Sequence, residues 1–193
     1  MIPEAIKDLQ NLENRRHRMV WRPFMEKYDV QSFCEIGVFE SQNFKRMLES
    51  NPKIAVGVDV WRDAGIISQN DSAFSQDKLN EQANYFKYLM SRNPAIRMYR
   101  QLSHEAVANF PDEYFDLIYI DGDHTFDGCY RDMQNWWAKL KSGKYFVGDD
   151  FRNRKAPMTG VEFGVVRAVQ TFCKHQNLTY YELPNHRWAI IKP

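Results

Sequence analysis

The 193-residue chain has no run of about 18 uninterrupted apolar residues, which excludes a membrane-spanning helix of the ordinary kind. Its start, Met1 to Leu12, is polar and charged and lacks the apolar core of a secretory signal. Cysteine is scarce: Cys34, Cys129 and Cys173 are an odd set with no C-x-x-C spacing, so neither a zinc knuckle nor a disulfide framework is indicated. Reduced, buried thiols and a soluble, cytoplasmic protein are expected. Net charge is nearly absent, 26 basic residues standing against 25 acidic ones, so nothing in the balance calls for a nucleic-acid or anionic-membrane partner. There is no internal repeat or low-complexity segment, and the length suits one domain that buries a sheet under helices.

Alternating elements occupy most of the chain. Residues 1–30 form an expected accessory helical segment, with Ile6, Leu9 and Leu12 at helical intervals and the basic cluster Arg15, Arg16, His17 and Arg18 read as a solvated face. Ser32 to Gly37 reads as a strand, Gln42 to Ser50 as a helix and Lys53 to Asp59 as a second strand, a βαβ unit. Leu79, Ala83, Phe86 and Met90 mark one apolar helical face that Asn93-Pro94 ends, and Ala95 to Tyr99 is the third strand. Ser103 is placed as a helix N-cap, and the apolar run Phe115 to Asp121 as a parallel strand buried on both faces. Tyr130, Met133, Trp137 and Leu140 recur at helical spacing, Lys141-Ser142-Gly143 closes that helix, and Lys144 to Asp149 is another strand. Trp136 and Trp137 are core and flank of one helix. A long helix over Val161 to His175 and a hairpin of Leu178 to Leu183 with Arg187 to Lys192 complete the chain.

Two of these strands end in clustered acids, Asp121-Gly122-Asp123-His124 and Asp149-Asp150. In an open α/β sheet ligands sit beyond the carboxyl ends of the strands, and an oxygen-rich site there suits a divalent hard cation. Each cluster has a plainer reading: Asp121 can cap the following helix, and Asp149-Asp150 can be a solvated turn. Neighbouring strand residues face opposite ways, so Asp149 and Asp150 can both ligate only if the chain bends, which Gly148 would permit. The first strand ends Glu35-Ile36-Gly37-Val38-Phe39-Glu40-Ser41; Phe39 stands at the second glycine place of a G-x-G-x-x-G fingerprint, so no phosphate nest forms. Asp59 ends the second strand, where a carboxylate can accept hydrogen bonds from ribose hydroxyls.

The element order, with Glu35-Ile36-Gly37, Asp59 and the two acid runs, resembles class I S-adenosylmethionine-dependent methyltransferases. Within them it resembles the metal-dependent O-methyltransferases of the catechol and macrocin types, methyltransferase family 24-like, over residues 31–193. The resemblance implies an α/β, Rossmann-like doubly wound fold, a mostly parallel seven-stranded sheet of order 3-2-1-4-5-7-6 with helices on both faces. It implies S-adenosylmethionine as cofactor, its methionine part held by Glu35, Gly37 and Ser41, its ribose by Asp59, and its adenine lined by Ser103 and His104, with Asp121 also beside it. It implies a divalent metal, Mg2+ in the first place, on Asp121, Asp149 and Asp150. His124 stands at the offset of the catechol-type lysine base, so it or Asp121 would take the proton of a metal-bound hydroxyl. The sequence departs from the pattern at Ser41 and Lys144, where relatives carry glycine; the second affects a surface turn.

The acceptor implied is a small molecule with a hydroxyl, a sugar or sugar-containing metabolite by the macrocin likeness and a phenol by the catechol one. Phe151 to Gly160, with Arg152, Arg154, Lys155 and Pro157, is either a lid that attracts an anionic acceptor or a solvated loop. Two rivals stay open: a metal-dependent glycosyltransferase using Asp121-Gly122-Asp123 as a D-x-D motif, and a non-catalytic binding module that keeps the fold. Self-association is left open.

Overall fold

The computed structural model describes residues 1–11, 20–61, 75–155, 160 and 162–193. In chain order the elements are α1 (Glu4–Asn11), α2 (Trp21–Lys27), β1 (Ser32–Ile36), α3 (Gln42–Leu48), β2 (Ile54–Val58), α4 (Gln76–Arg92), β3 (Ile96–Tyr99) and α5 (Ser103–Ala106). Then come β4 (Phe115–Ile120), α6 (Phe126–Trp137), β5 (Leu140–Gly148), α7 (Val165–Gln176), β6 (Tyr180–Leu183) and β7 (Arg187–Ile191). The strands form one seven-stranded sheet of order β3-β2-β1-β4-β5-β7-β6, the expected one. The first five run parallel, and β7 is antiparallel to both β5 and β6.

Strand alternation sorts the core into two layers. On one face Phe33, Leu117, Tyr119, Val147 and Ala189 meet Phe44 and Phe86 from α3 and α4, together with Ile6, Leu9, Trp21 and Phe24 from α1 and α2. On the other, Cys34, Ile36, Ile118, Phe146 and Trp188 meet Met133 and Trp136 of α6 and Val169 and Phe172 of α7. Both layers are apolar, so β1 and β4 are buried along their whole length, as strands covered by helices on both faces must be. All three cysteines are free and buried.

The segment 1–30 holds two described helices, and both feed side chains into the first layer. The basic cluster at Arg15 to Arg18 lies outside the described residues.

Several local expectations are corrected. Leu140 opens β5 rather than closing α6, and Lys141-Ser142-Gly143 lies within the strand, where a register shift opposite Phe115 and Leu117 takes up the extra residues. Gly143 adopts φ +74° there, and its amide donates to the Lys192 carbonyl at 2.8 Å. Lys144 is therefore a strand residue rather than part of a surface turn, with its Nζ 3.7 Å from Asp116. Asp116 also accepts from the Gln31 and Ser32 amides, the Ser32 hydroxyl and Lys141, which ties the amino ends of β1, β4 and β5 together. Ser103 is the first residue of α5, not its cap; Leu102 precedes the helix. Met90 is 40% exposed although it continues the apolar face of α4. In the same turn Leu89, not Met90, packs on the first core layer.

Candidate functional site

Two neighbouring groups stand at the carboxyl edge of the sheet. The first is the turn after β1. Gly37 has φ +84°, and a Cβ built on it would lie 2.0 Å from the Asp121 carbonyl oxygen. The ends of β1 and β4 are clamped at this point, since the Asp121 amide donates to Ile36 at 2.8 Å and the Gly37 amide to Val58 at 2.9 Å. Glycine is thus demanded by the backbone crossing itself.

Asp59 uses both carboxylate oxygens on backbone. One accepts from the Val38 and Phe39 amides at 2.9 and 2.8 Å, the other from the Trp61 amide at 2.8 Å. Burial pushes this carboxyl above its ordinary value, and the amide hydrogen bonds oppose the shift. The Trp61 indole N–H donates to the Phe39 carbonyl at 3.0 Å, so Asp59 and Trp61 together lace the two turns. Phe39 and Ser41 are held at φ +44° and +59°, conformations that a non-glycine side chain adopts only under such constraint. The Ser41 hydroxyl is buried there without a hydrogen-bond partner. Glu35, buried in β1, accepts from the Asn43 amide nitrogen at 3.3 Å, and Asn43 in turn accepts from the Trp21 indole. An orphaned hydroxyl in the turn that follows the buried Glu35 fits a polar ligand that supplies the missing partner, as the amino-acid end of S-adenosylmethionine would.

The second group lies after β4 and β5. Asp121, His124 and Asp150 each offer one ligand atom, and these atoms all lie within 4.8 Å of one another. His124 Nε2 is 3.4 Å from Asp121 Oδ1 and 3.3 Å from Asp150 Oδ2. The imidazole stacks on Phe163, ring centroids 4.9 Å apart, and its Nδ1 is buried without a partner. Burial disfavours charge on His124, but the hydrogen bond and charge of Asp121, with Asp150 and Asp149 beyond, outweigh it and raise its pKa. Asp121 is raised too, by burial first and by Asp149 and Asp150 next, against the pull of His124. The two carboxylates, Asp121 and Asp150, fit a divalent cation, and His124 Nε2 stands within 3.4 Å of both.

Of the expected metal set, Asp121 and Asp150 come together beside His124. Asp149 does not join the cluster: one oxygen accepts the Tyr119 hydroxyl at 3.0 Å and the other the Asp150 amide at 2.8 Å. The bend that separates the pair is at Asp150 itself, φ +53°, not at Gly148. Gly148 is still strand, and it is glycine because the Trp188 ring lies 2.5 Å from where a Cβ would stand. Asp150 is also gripped by Arg152, at 2.6 Å, so this arginine of the Phe151 to Gly160 segment is turned onto the cluster. Arg154 lies over the Phe163 ring at 4.5 Å, while residues 156–159, with Pro157, fall outside the described part.

The remaining expected residues are placed as follows. Ser103 accepts from the Trp136 indole at 2.8 Å and shares a hydrogen bond with the buried Asp132, whose carboxyl is pushed up to about 7 by burial. His104 is exposed on α5. Asp123 accepts from the Thr125 amide and hydroxyl at 2.9 and 2.8 Å, and Thr125 caps α6 through the Gly128 amide. Asp123 is not one of the three residues that converge in the cluster. Tyr119, Phe163, Asp132 and Arg187 were not singled out in the sequence. Tyr119 and Arg187 did carry a signal, a hydroxyl and a guanidinium in otherwise apolar strands.

The sheet order and the position of these groups define the class I methyltransferase fold. A family model described as a methyltransferase domain matches residues 35–151, from the first turn to the end of the acid cluster, and the chain belongs to that family. Among solved structures it is similar to the O-methyltransferase from Bacillus cereus in complex with S-adenosylhomocysteine, at 12% identity and TM-score 0.58 over 100% of this chain and 92% of that one. It is also similar to TomG from Streptomyces achromogenes, an O-methyltransferase involved in tomaymycin synthesis, bound to S-adenosylmethionine, at 10% identity and TM-score 0.61 over the same shares, 100% and 92%. At such identities the likeness is one of fold. An uncharacterized protein of Acanthamoeba polyphaga mimivirus is 25% identical over 132 residues, 66% of this chain; the chain spans about half, 54%, of that curated relative. No described helix is long and apolar enough to cross a membrane.

Proposed function

We propose that this chain transfers the methyl group of S-adenosylmethionine to a hydroxyl of a small molecule, a sugar or sugar-containing metabolite, beside a divalent cation, Mg2+ in the first place. The observation that carries the reading is the convergence of Asp121, His124 and Asp150 next to the turn bearing Gly37, whose backbone touches Asp121.

Asp121 and Asp150 would hold the cation, which when bound acidifies a hydroxyl beside it, while the cofactor offers an electrophilic methyl. His124 is the group that accepts the hydroxyl proton at Nε2. The ring is set by its place 3.4 Å from Asp121 and 3.3 Å from Asp150, and Phe163 covers one face of it. Glu35, Ser41 and the backbone laced by Asp59 orient the cofactor, so that the methyl and the oxygen meet in line; most of the rate then comes from alignment. A cavity of about 330 Å3, lined by Thr125, Phe126, Asn153, Phe163 and Arg167 among others, adjoins the ring that stacks on His124 and offers room for the acceptor. The commitment of Asp123 Oδ1 to the Thr125 amide and hydroxyl, apart from the Asp121 cluster, disfavours the glycosyltransferase reading.

Calorimetric titration of Mg2+ and of S-adenosylhomocysteine into the wild type and into Asp121→Asn, Asp150→Asn and Asp149→Asn tests the site. Loss of a direct ligand in the first two variants should weaken cation binding more than loss of the adjoining Asp149, for which about 10- to 100-fold is the upper range, with cofactor-product binding kept. Tight S-adenosylhomocysteine binding together with no cation binding, and turnover indifferent to chelator, would overturn the metal assignment.

A further inference from the structure

Arg187, the first residue of β7, is a buried cation that the proposed reaction does not use. It is 4% exposed, its Nε donates to the Pro184 carbonyl at 3.2 Å, and its guanidinium lies 5.5 Å from the centre of the Trp21 ring. Its Nη1 is buried without a hydrogen-bond partner, and among the described residues no carboxylate forms an ion pair with it. A guanidinium left in this state is costly, and a buried one is normally answered by a carboxylate or phosphate.

Its place in the sheet brings it to the site. Trp188 stands opposite Gly148, so Arg187 flanks Asp149, one step past the end of β5. Trp21, under the guanidinium, packs edge-on against Tyr119 at 5.3 Å and donates to Asn43, the residue that holds Glu35. Arg187, Asp149, Asp121 and Glu35 all act electrostatically on the Tyr119 hydroxyl, which is committed to Asp149. The acids in this row would repel a bare anion, and Arg187 is the group that can receive one.

We infer that Arg187 anchors a carboxylate of a bound ligand, and this rests on the methyl-transfer reading of the site. The planar fork of the guanidinium matches a carboxylate in two parallel hydrogen bonds, which an ammonium cannot do. Two sources present that chemistry at this edge: the methionyl end of the cofactor and an acidic group on the acceptor.

Calorimetry on the full chain separates them. S-adenosylhomocysteine is compared with 5′-methylthioadenosine, which shares the thioether and nucleoside but lacks the carboxylate; on the S-adenosylhomocysteine-loaded protein, 3,4-dihydroxybenzoate is compared with catechol. In Arg187→Met the carboxylate-bearing member of one pair should weaken at least tenfold, and its partner should stay within about twofold. Arg187→Lys should fall between. The ratio within a pair is read in each variant, so a general loss of folded protein cancels, and Arg187→Lys serves if the methionine variant does not fold. Selective loss in the first pair assigns the anchor to the cofactor, and in the second to the acceptor. An unchanged ratio in the first pair, with no selective loss in the second whether the phenols bind alike or not at all, overturns the inference. A wild type that binds both nucleosides while the ratios never move sinks the arginine assignment alone; a wild type that binds neither sinks the cofactor reading.

Discussion

Replacing Gly37 by alanine tests whether the joint between the cofactor turn and the acid cluster is as tight as the geometry states. Two costs add. The residue sits at φ +84°, where a Cβ is penalised by about 1–2 kcal/mol. The new carbon would also meet the Asp121 carbonyl at 2.0 Å, and that carbonyl belongs to backbone pinned by the Asp121–Ile36 hydrogen bond, so it cannot swing away as a side chain might. Overpacking of this kind adds about 1–3 kcal/mol, for a total of about 2–5 kcal/mol. Gly143 is the internal control: its φ is +74°, but nothing lies within 4 Å of the built Cβ, so Gly143→Ala bears only the conformational part. Urea unfolding at unchanged slope should rank Gly37→Ala below Gly143→Ala by about 1–3 kcal/mol, a difference in melting temperature of about 2–12 °C for a chain of this size. Equal losses in the two variants would refute the argument, for they would mean that the β1 turn can move off Asp121 at no expense.

Two further outcomes follow from buried groups. Asp132 binds its proton more tightly in the folded chain, near pH 7, than the ordinary 3.8 of an unfolded one. Its contribution to stability is therefore present below about pH 4 and lost as pH rises through 7, by up to about 4 kcal/mol. Melting curves between pH 5 and 8 should fall with pH in the wild type and fall less steeply in Asp132→Asn, where Asp121 and His124 still contribute; an identical slope would show that the Asp132 carboxyl does not titrate in this window. Gly148→Ala drives a methyl into Trp188, with contacts near 2.5 Å, and should lose about 1–3 kcal/mol in urea unfolding. The loss should be smaller when measured against Trp188→Phe, and strictly additive losses would mean that the two residues do not share the space.

Much of the fold was legible because its signals are local. Apolar runs such as Phe115 to Ile120, broken by helical spacing in α6 and α7, report burial on two faces whatever the partners are, and the sheet order followed from the family resemblance. The boundaries that moved are those where a tertiary contact competes with local pattern. Leu140 continues the spacing of α6, yet it pairs with Phe115 in the sheet, and the bulge at Gly143 absorbs the mismatch. Ser103 has the look of a cap, but its hydroxyl is taken by Trp136 from another helix.

The sequence by itself determined that acids end β1, β2, β4 and β5, because residue order along a strand places them at one edge of a parallel sheet. It could not determine which acids converge. Asp149 and Asp150 are neighbours in the chain, and only the left-handed turn at Asp150 and the Tyr119 hydroxyl send one to the His124 cluster and the other away from it. Asp59 shows the same division: its position alone led to the expectation of a ribose contact, and in the fold its oxygens accept from three amides of the adjoining turns. Arg187 lies outside any motif and reaches the site because β7 runs back antiparallel beside β5. Chain order assigns a residue to an edge; hydrogen bonds and packing from other strands decide where its side chain is spent.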